Sequence, residues 1–182
     1  VQISEALESC SSNLTYLDLS DNYFRVEAGI ALGKAVSRMN SLKTLKADDM
    51  GLEDEGVSSI LKSLNNSCTK LEVLSLKYND CTANGIQYLD EALSKKDDLK
   101  ELHFGGNPIE EVGCSIIQST FPRLNSLEKL DMQECGLHNV AALSLCDDIT
   151  KFLKNITKVE LDGNNLTDTG INVVVNKMSA TY

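Results

Sequence analysis

Along this chain, short stretches that alternate apolar and polar residues give way to stretches with apolar residues every three to four positions, and the exchange recurs at a fixed interval. The alternating stretches are LTYLDLSDN, LKTLKADDM, LEVLSLKYN, LKELHFGGN, LEKLDMQEC and ITKVELDGN, opening at Leu14, Leu42, Leu71, Leu99, Leu127 and Ile156. The steps between them are 28, 29, 28, 28 and 29 residues. Period-2 alternation predicts a short half-buried strand in each, with Leu14, Leu17 and Leu19 facing a core and Tyr16, Asp18 and Ser20 facing outward. Three places beyond Leu19 stands Asn22, matched by Asn79, Asn107 and Asn164, while Met50 and Cys135 fill that slot in the other two repeats. An asparagine there can satisfy backbone groups freed as the chain turns. The turns at Met50 and Cys135 are therefore expected to find other partners.

Two residues further on, an apolar side chain plugs each turn: Phe24, Leu52, Cys81, Ile109, Leu137 and Leu166. A glycine follows at Gly29, Gly56, Gly85, Gly113 and Gly170 and is expected to let a helix approach the strand layer closely. Apolar residues then recur at helical spacing, as in Ile60, Leu61 and Leu64, or Ile86, Leu89 and Leu93, which predicts one face of an amphipathic helix. Repeat five has Ala141 at the glycine position, so a slightly shifted helix is expected there. One strand and one helix of this size cannot bury their apolar faces alone, but stacked copies can. Strands pack about 4.8 Å apart and helices about 8–10 Å apart, so the array must curve. The expectation is one α/β domain over 1–182, a horseshoe with a parallel sheet on the concave side and helices outside. Repeats of this length with full helices resemble the ribonuclease-inhibitor class of leucine-rich repeats, which are intracellular right-handed solenoids. Residues 1–13 read as the helix of a preceding repeat, and the ending VNKMSATY has no polar cap, so more chain is expected on both sides.

Composition narrows the role. Of 182 residues, 42% are hydrophobic and 24% charged, ordinary for a globular protein. No apolar run approaches the roughly 18 residues that span a bilayer, and the first residues lack the basic and apolar regions of a signal peptide. A net charge of −10 repels nucleic acid and anionic membranes and favours a partner with a basic face. The six cysteines form no CxxC pair, and several fall at apolar repeat positions, which suits a reducing compartment. Sequons at Asn13, Asn65, Asn155 and Asn165 carry little weight for secretion in a chain this rich in Ser and Thr.

Catalytic chemistry finds little support. His103 sits at an outward strand position and His138 in a turn, so no metal cluster or catalytic triad is expected around them. The runs DDITK and KKDDLK read as solvated helix ends and loops. The acidic stretch Asp48, Asp49, Glu53, Asp54 and Glu55 follows the repeat template and not a calcium loop, so it reads as a solvated acidic loop or a contact to a basic partner. No metal or cofactor is expected. What remains is the open face of the sheet. Its first outward column is Asp18, Lys46, Ser75, His103, Asp131 and Glu160, and its second is Ser20, Asp48, Lys77, Gly105, Gln133 and Asp162. These side chains are expected to face open space without internal partners, as on a protein-binding surface.

The stretches LDLSDNYFRVEAGIALGKAVSRMNSLKTL, MGLEDEGVSSILKSL and LEVLSLKYND are similar to late repeats of the Ran GTPase-activating protein family. The resemblance implies a non-catalytic protein that binds the small GTPase Ran, in the cytoplasm at the nuclear envelope, and supports nucleocytoplasmic transport; a monomer is expected. Ran's own glutamine then does the chemistry. By the same resemblance Asp21 and Asn22 match an acidic turn near the GTPase, and Asp48 and Asp49 the equivalent turn of the next repeat. With Asp18, Lys46, Lys77 and His103 on the open face, these make up the candidate partner-binding set. The asparagine and arginine that matter most to that family lie in earlier repeats absent here, as is its long acidic tail. The alternative is a general intracellular scaffold that binds another protein.

Overall fold

The computed structural model describes residues 13–179. Six strands, β1 (Tyr16–Asp18), β2 (Thr44–Lys46), β3 (Val73–Ser75), β4 (Glu101–His103), β5 (Lys129–Asp131) and β6 (Lys158–Glu160), fall inside the six alternating stretches. They form one open sheet in chain order, every pair parallel. The register is the one given by self-alignment, so Asp18, Lys46, Ser75, His103, Asp131 and Glu160 stand side by side. The expected α/β solenoid is the architecture formed. Its repeats share one core: Leu45, Leu74 and Leu102 at the strand centres and Leu42, Leu71, Leu99 and Leu127 at the strand entries are fully buried. The helix expected over 1–13 lies, apart from Asn13, outside the described residues, as do Cys10 and the chain beyond 179. Among the described residues no helix is long and apolar enough to cross a membrane.

Beyond each strand the ladder runs on for two more rungs. The N–H groups of Leu19, Ala47, Leu76, Phe104 and Met132 donate to the first-column carbonyl of the next repeat at 2.9–3.0 Å. The residue two places later is left-handed in all six repeats: Asp21, Asp49, Tyr78, Gly106, Glu134 and Gly163 have φ between 49° and 74°. Its N–H, in the first five repeats, donates to the second-column carbonyl of the next repeat. Every coil thus leaves its strand through the same twisted residue, although only two of the six are glycine.

The turn asparagines serve their own turns as expected, with Nδ2 of Asn79, Asn107 and Asn164 donating to Lys77 O, Phe104 O and Leu161 O, and these three also serve the turn before. Asn79 Oδ1 accepts from Met50 N (3.1 Å) and Leu52 N (3.3 Å), and its Nδ2 donates to Ala47 O (2.7 Å). Asn107 does the same for Asn79 N and Cys81 N, and Asn164 for Cys135 N and Leu137 N. Asn79, Asn107 and Asn164 therefore each tie down the coil before their own. The Met50 and Cys135 turns are well partnered, and the turns that go short are those preceding them. There Phe24 N and Ile109 N fold back onto Asn22 O (2.6 Å) and Asn107 O (2.7 Å).

The helices are α1 (Arg25–Val36), α2 (Glu53–Leu64), α3 (Leu89–Leu93), α4 (Glu110–Thr120), α5 (Asn139–Phe152) and α6 (Asp168–Ser179), with a 3₁₀ turn at Phe121–Arg123. α1, α2 and α4 have no side-chain cap. Instead the N–H of Arg25, Glu53 and Glu110 donates to a carbonyl in the following turn, at Met50, Asn79 and Cys135. Gly29, Gly56, Gly113 and Gly170 sit inside the first helical turns, and the glycines relieve crowding between neighbouring coils more than against the sheet: a Cβ on Gly29 would lie 2.6 Å from the Gly56 Cα. Repeat three departs from the predicted helix. Asp54 accepts from Thr82 N, Thr82 Oγ1 and Gly85 N, and residues 83–88 pass through successive turns before α3 begins. Ile86, Leu89 and Leu93 are buried all the same. In repeat five, with Ala141 at the glycine position, the residue before α5 is extended (His138, φ −98°, ψ 174°), unlike the helical residues that precede α1, α2 and α4.

The run KKDDLK is not wholly solvated. Lys96 is 1% exposed, and its Nζ donates to Leu64 O (2.7 Å) at the carboxyl end of α2. It stands three places before Leu99, in the slot that Met39, Cys68, Leu124 and Leu153 fill in the other repeats. Burial pulls its pKa down.

Candidate functional site: the open sheet face and its exit turns

Parallel coils place every strand's entry on one edge of the sheet and its exit on the other, and the two edges differ in charge. The exit segments, residues 18–27, 46–55, 75–82, 103–111, 131–139 and 160–168, hold sixteen carboxylates against three Lys or Arg. The entry segments, 37–44, 65–73, 94–101, 121–129 and 153–158, hold ten Lys or Arg against five carboxylates. The polarity is partly intrinsic to the fold. Helix amino termini lie at the exit edge, where carboxylates such as Glu53, Asp54 and Glu55 complement the helix dipole.

Four members of the candidate set converge on the exit edge. Asp21, Asp48, Asp49 and Lys77, with Ser20 and Tyr78, line a hollow of about 450 Å³. Asp21 and Asp49 are exposed and left-handed. Asp48 is not a free loop carboxylate: its Oδ1 accepts from Ser75 Oγ (2.6 Å) and Lys77 N (2.8 Å), joining two coils. Asp54 is likewise bound to the next coil, so the acidic stretch is only partly solvated. Asn22 is exposed and donates to Leu19 O and Ser20 O within its own turn, both at 3.0 Å. Asp18 accepts from Ser20 N (3.0 Å) and Tyr16 Oη (3.1 Å). Desolvation pushes its carboxyl up, but those bonds and the neighbouring Lys46 charge outweigh it and leave the pKa below its ordinary value. Lys46 is half-buried between Asp18 and Ser75 in the first column.

The middle of the open face is not a row of unpartnered side chains. Asp131 is 1% exposed and its Oδ2 lies 2.7 Å from Lys77 Nζ and 3.6 Å from His103 Nδ1, while Oδ1 accepts from Gln133 N. Desolvation would raise its pKa, but the His103 and Lys77 contacts prevail and hold it at about 2. Burial alone would lower Lys77, and the bond to Asp131 raises it instead. His103 Nε2 lies 3.2 Å from Glu101 Oε2, and Glu101 also takes Lys129 Nζ at 2.7 Å. Gly105 leaves room for this knot, because a Cβ there would lie 2.6 Å from Asp131 Oδ1. His103, Asp131 and Glu160 also approach as a possible ligand set, all within 4.8 Å of one another. That corrects the expectation that nothing gathers around the histidines. Within the set, Asp131 already carries the Lys77 ammonium at 2.7 Å and Glu160 the Lys158 ammonium at 2.9 Å. His138, by contrast, pairs with Glu111 on the helix side at 2.8 Å.

Sequence reasoning missed Tyr78. It occupies the left-handed slot of repeat three, lies across Gly106, and its hydroxyl accepts from Gln133 Nε2 (3.1 Å) two coils away. The signal was its alignment with Asp21 and Asp49, where an aromatic residue interrupts a polar column. Among the described residues the five cysteines are free and buried, with thiol pKa values raised by burial, to about 12 for Cys114 and Cys135. Such thiols are poor nucleophiles. The surface offers charge, hydrogen bonds and exposed tyrosine rings, the means of recognising another macromolecule.

The profile of the leucine-rich repeat family matches residues 10–33 and 152–173. The chain is a leucine-rich repeat solenoid. It is 27% identical to mouse ribonuclease inhibitor over 171 residues, 93% of the chain and 37% of the inhibitor. It is 32% identical to RAN GTPase-activating protein 2 of Arabidopsis thaliana over 123 residues, 68% of the chain and 23% of that protein. The chain thus spans roughly a quarter to a third of these relatives. Among solved structures, the actin-binding site 2 domain of leiomodin-1 superposes with a TM-score of 0.57 over 99% of the chain and 87% of that domain, at 14% identity, a likeness of fold alone. Leucine-rich repeat modules of this class are in general non-catalytic and bind proteins.

Proposed function

We propose that the solenoid binds a protein partner with a basic face through the exit edge and the adjoining open face of repeats one to three, and that this partner is the small GTPase Ran. The chain would then form part of a Ran GTPase activator acting in nucleocytoplasmic transport, in the cytoplasm at the nuclear envelope. The observation that carries the binding reading is the charge polarity of the two edges, with Asp21, Asp48 and Asp49 around one hollow beside Tyr78. Complementary charge raises association rates and suppresses wrong partners. The choice of Ran rests on the 32% identity with the Arabidopsis activator. Asp21→Asn with Asp49→Asn removes two exposed charges while keeping residues that tolerate the left-handed conformation. Binding to Ran carrying a non-hydrolysable GTP analogue, followed by biolayer interferometry across salt concentrations, should show severalfold slower association for this variant and a weaker salt dependence. GTP hydrolysis by Ran should also accelerate with the full-length parent protein. Neither binding nor acceleration at micromolar concentrations would remove Ran from the reading. The coverage of 93% of the chain by mouse ribonuclease inhibitor favours a second reading, a scaffold for a different protein. A ribonuclease in place of Ran is its first test.

A further inference from the structure

We propose that the open face carries a binding site for one divalent transition-metal ion, Zn²⁺ in the first instance, held by His103, Asp131 and Glu160. The three residues stand in the first column of consecutive strands, with His103 paired to Asp131 and Asp131 to Glu160. One donor atom of each lies within 4.8 Å of the other two. The His103 ring is set between two carboxylates: Nε2 lies 3.2 Å from Glu101 Oε2, and Nδ1 lies 3.6 Å from Asp131 Oδ2. A neutral imidazole carries a single N–H. Given to the nearer carboxylate, Glu101, that N–H leaves Nδ1 as a bare lone pair facing a second carboxylate. Two lone pairs so placed repel each other unless a cation stands between them. The 3.6 Å gap is too long for a hydrogen bond. It suits shared coordination, because donors about 2.0–2.2 Å from one tetrahedral ion stand roughly 3.4 Å apart.

The surroundings support the ligands. Glu101 orients the ring from behind, as the carboxylate partner of a metal-bound histidine does, and Lys129 Nζ, 2.7 Å from Glu101 Oε1, keeps that carboxylate in place. Asp131 is buried, and the Gln133 N–H on its Oδ1 leaves Oδ2 toward the ring. Two lysines compete with a metal. The Lys158–Glu160 pair is largely exposed, and such pairs contribute little. Lys77 is the stronger competitor, 2.7 Å from Asp131 Oδ2, but its side chain reaches solvent and already feels the Asp48 charge. Metal binding therefore moves Lys77 off Asp131 toward Asp48. One imidazole with two carboxylates matches Zn²⁺ better than Mg²⁺ or Ca²⁺, which prefer oxygen alone, and leaves a fourth position for water. The ion ties repeats four, five and six together at the centre of the face.

Zinc chloride titrated into the 182-residue chain at about pH 7.5, above the ordinary histidine range, tests the site by calorimetry. One equivalent should bind with a Kd on the order of 10 µM. His103→Gln should weaken binding about a hundredfold and Glu101→Ala about tenfold, while His138→Gln should leave it unchanged. Lys77→Met removes the competing ammonium and should tighten binding severalfold, the opposite of what damage to the fold would give. The chain has only two histidines, so nitrogen NMR of the rings reports each one: Zn²⁺ should shift Nδ1 of His103 and leave the His138 ring in place. Absence of binding up to about 100 µM Zn²⁺ would overturn the proposal, as would an affinity indifferent to His103→Gln or weakened by Lys77→Met. A His103 ring with both nitrogens protonated in the presence of Zn²⁺ would also overturn it, because a proton would then be the cation between ring and carboxylate.

Discussion

At the scale of single residues, Lys96 shows how the repeat overrides local composition. In KKDDLK it looks like part of a solvated run, yet the stacking places it where four other repeats bury Met39, Cys68, Leu124 or Leu153. The alignment held that signal, since the slot three places before each strand leucine is otherwise apolar, but charge density hid it. The ammonium in that slot donates to Leu64 O, which places positive charge at the carboxyl end of α2. Its pKa is lowered in the fold, so the folded state binds its proton less tightly than the unfolded chain does. The resulting cost is fully present at neutral pH and fades as pH rises toward the ordinary lysine value of 10.5. Lys96→Met should therefore stabilise the protein by about 1 kcal/mol at pH 7. In urea denaturation that advantage should shrink by pH 10.5, and an advantage that grows with pH would refute the account.

At the scale of elements, the strands were legible because a period of two is unmistakable over five or six residues and recurs at a fixed step. Helix starts were less legible. They depend on contacts from the following coil, such as Glu53 N to Asn79 O, and on Asp54, which holds Thr82 and Gly85 and shortens α3. A single repeat's sequence contains neither partner. The asparagine turns were read correctly as backbone satisfiers, but the direction of service, from each coil to the one before it, needs the stack. The candidate site was legible in part for the same reason. Asp21, Asp48, Asp49 and Lys77 do meet, whereas Asp131 and Ser75 were placed in an open column and are buried by their neighbours. Asn79 and Asn22 occupy the same slot and separate the two situations. Asn79 is fully buried and binds two N–H groups of the preceding turn, while Asn22 is exposed and, among the described residues, binds its own turn. Asn79→Ala should cost about 3 kcal/mol, because buried polar groups lose their partners, and Asn22→Ala less than about 1 kcal/mol. Equal urea midpoints for the two variants would contradict this division.

At the scale of the whole molecule, a solenoid is coupled only through neighbouring coils, so ionic staples across those interfaces bear on how cooperatively it unfolds. Two carboxylates each span three repeats, one on the entry edge and one on the open face. Glu72 in repeat three receives Lys43 at 2.7 Å and Lys100 at 2.9 Å, and Asp131 in repeat five meets Lys77 and His103. The Lys43 bond leads in holding Glu72 at a pKa of about 2, and Asp131 sits at about 2 against the opposing pull of desolvation. Both values are depressed relative to the unfolded chain. Their contribution to stability is therefore fully present above the ordinary carboxylate range, and it is lost as pH falls from about 4.5 toward 2. For the buried Asp131 the loss is on the order of 2 kcal/mol. Glu72, more exposed, adds in the same direction. The thermal midpoint should fall across this window and the transition should broaden, because acid loosens repeat two to four at one edge and repeat three to five across the sheet. The double variant Glu72→Gln with Asp131→Asn should be less stable at pH 7 and show a flatter decline below pH 4.5. Parallel pH profiles for the variant and the unmodified chain, followed by circular dichroism melts, would assign the acid sensitivity to other carboxylates.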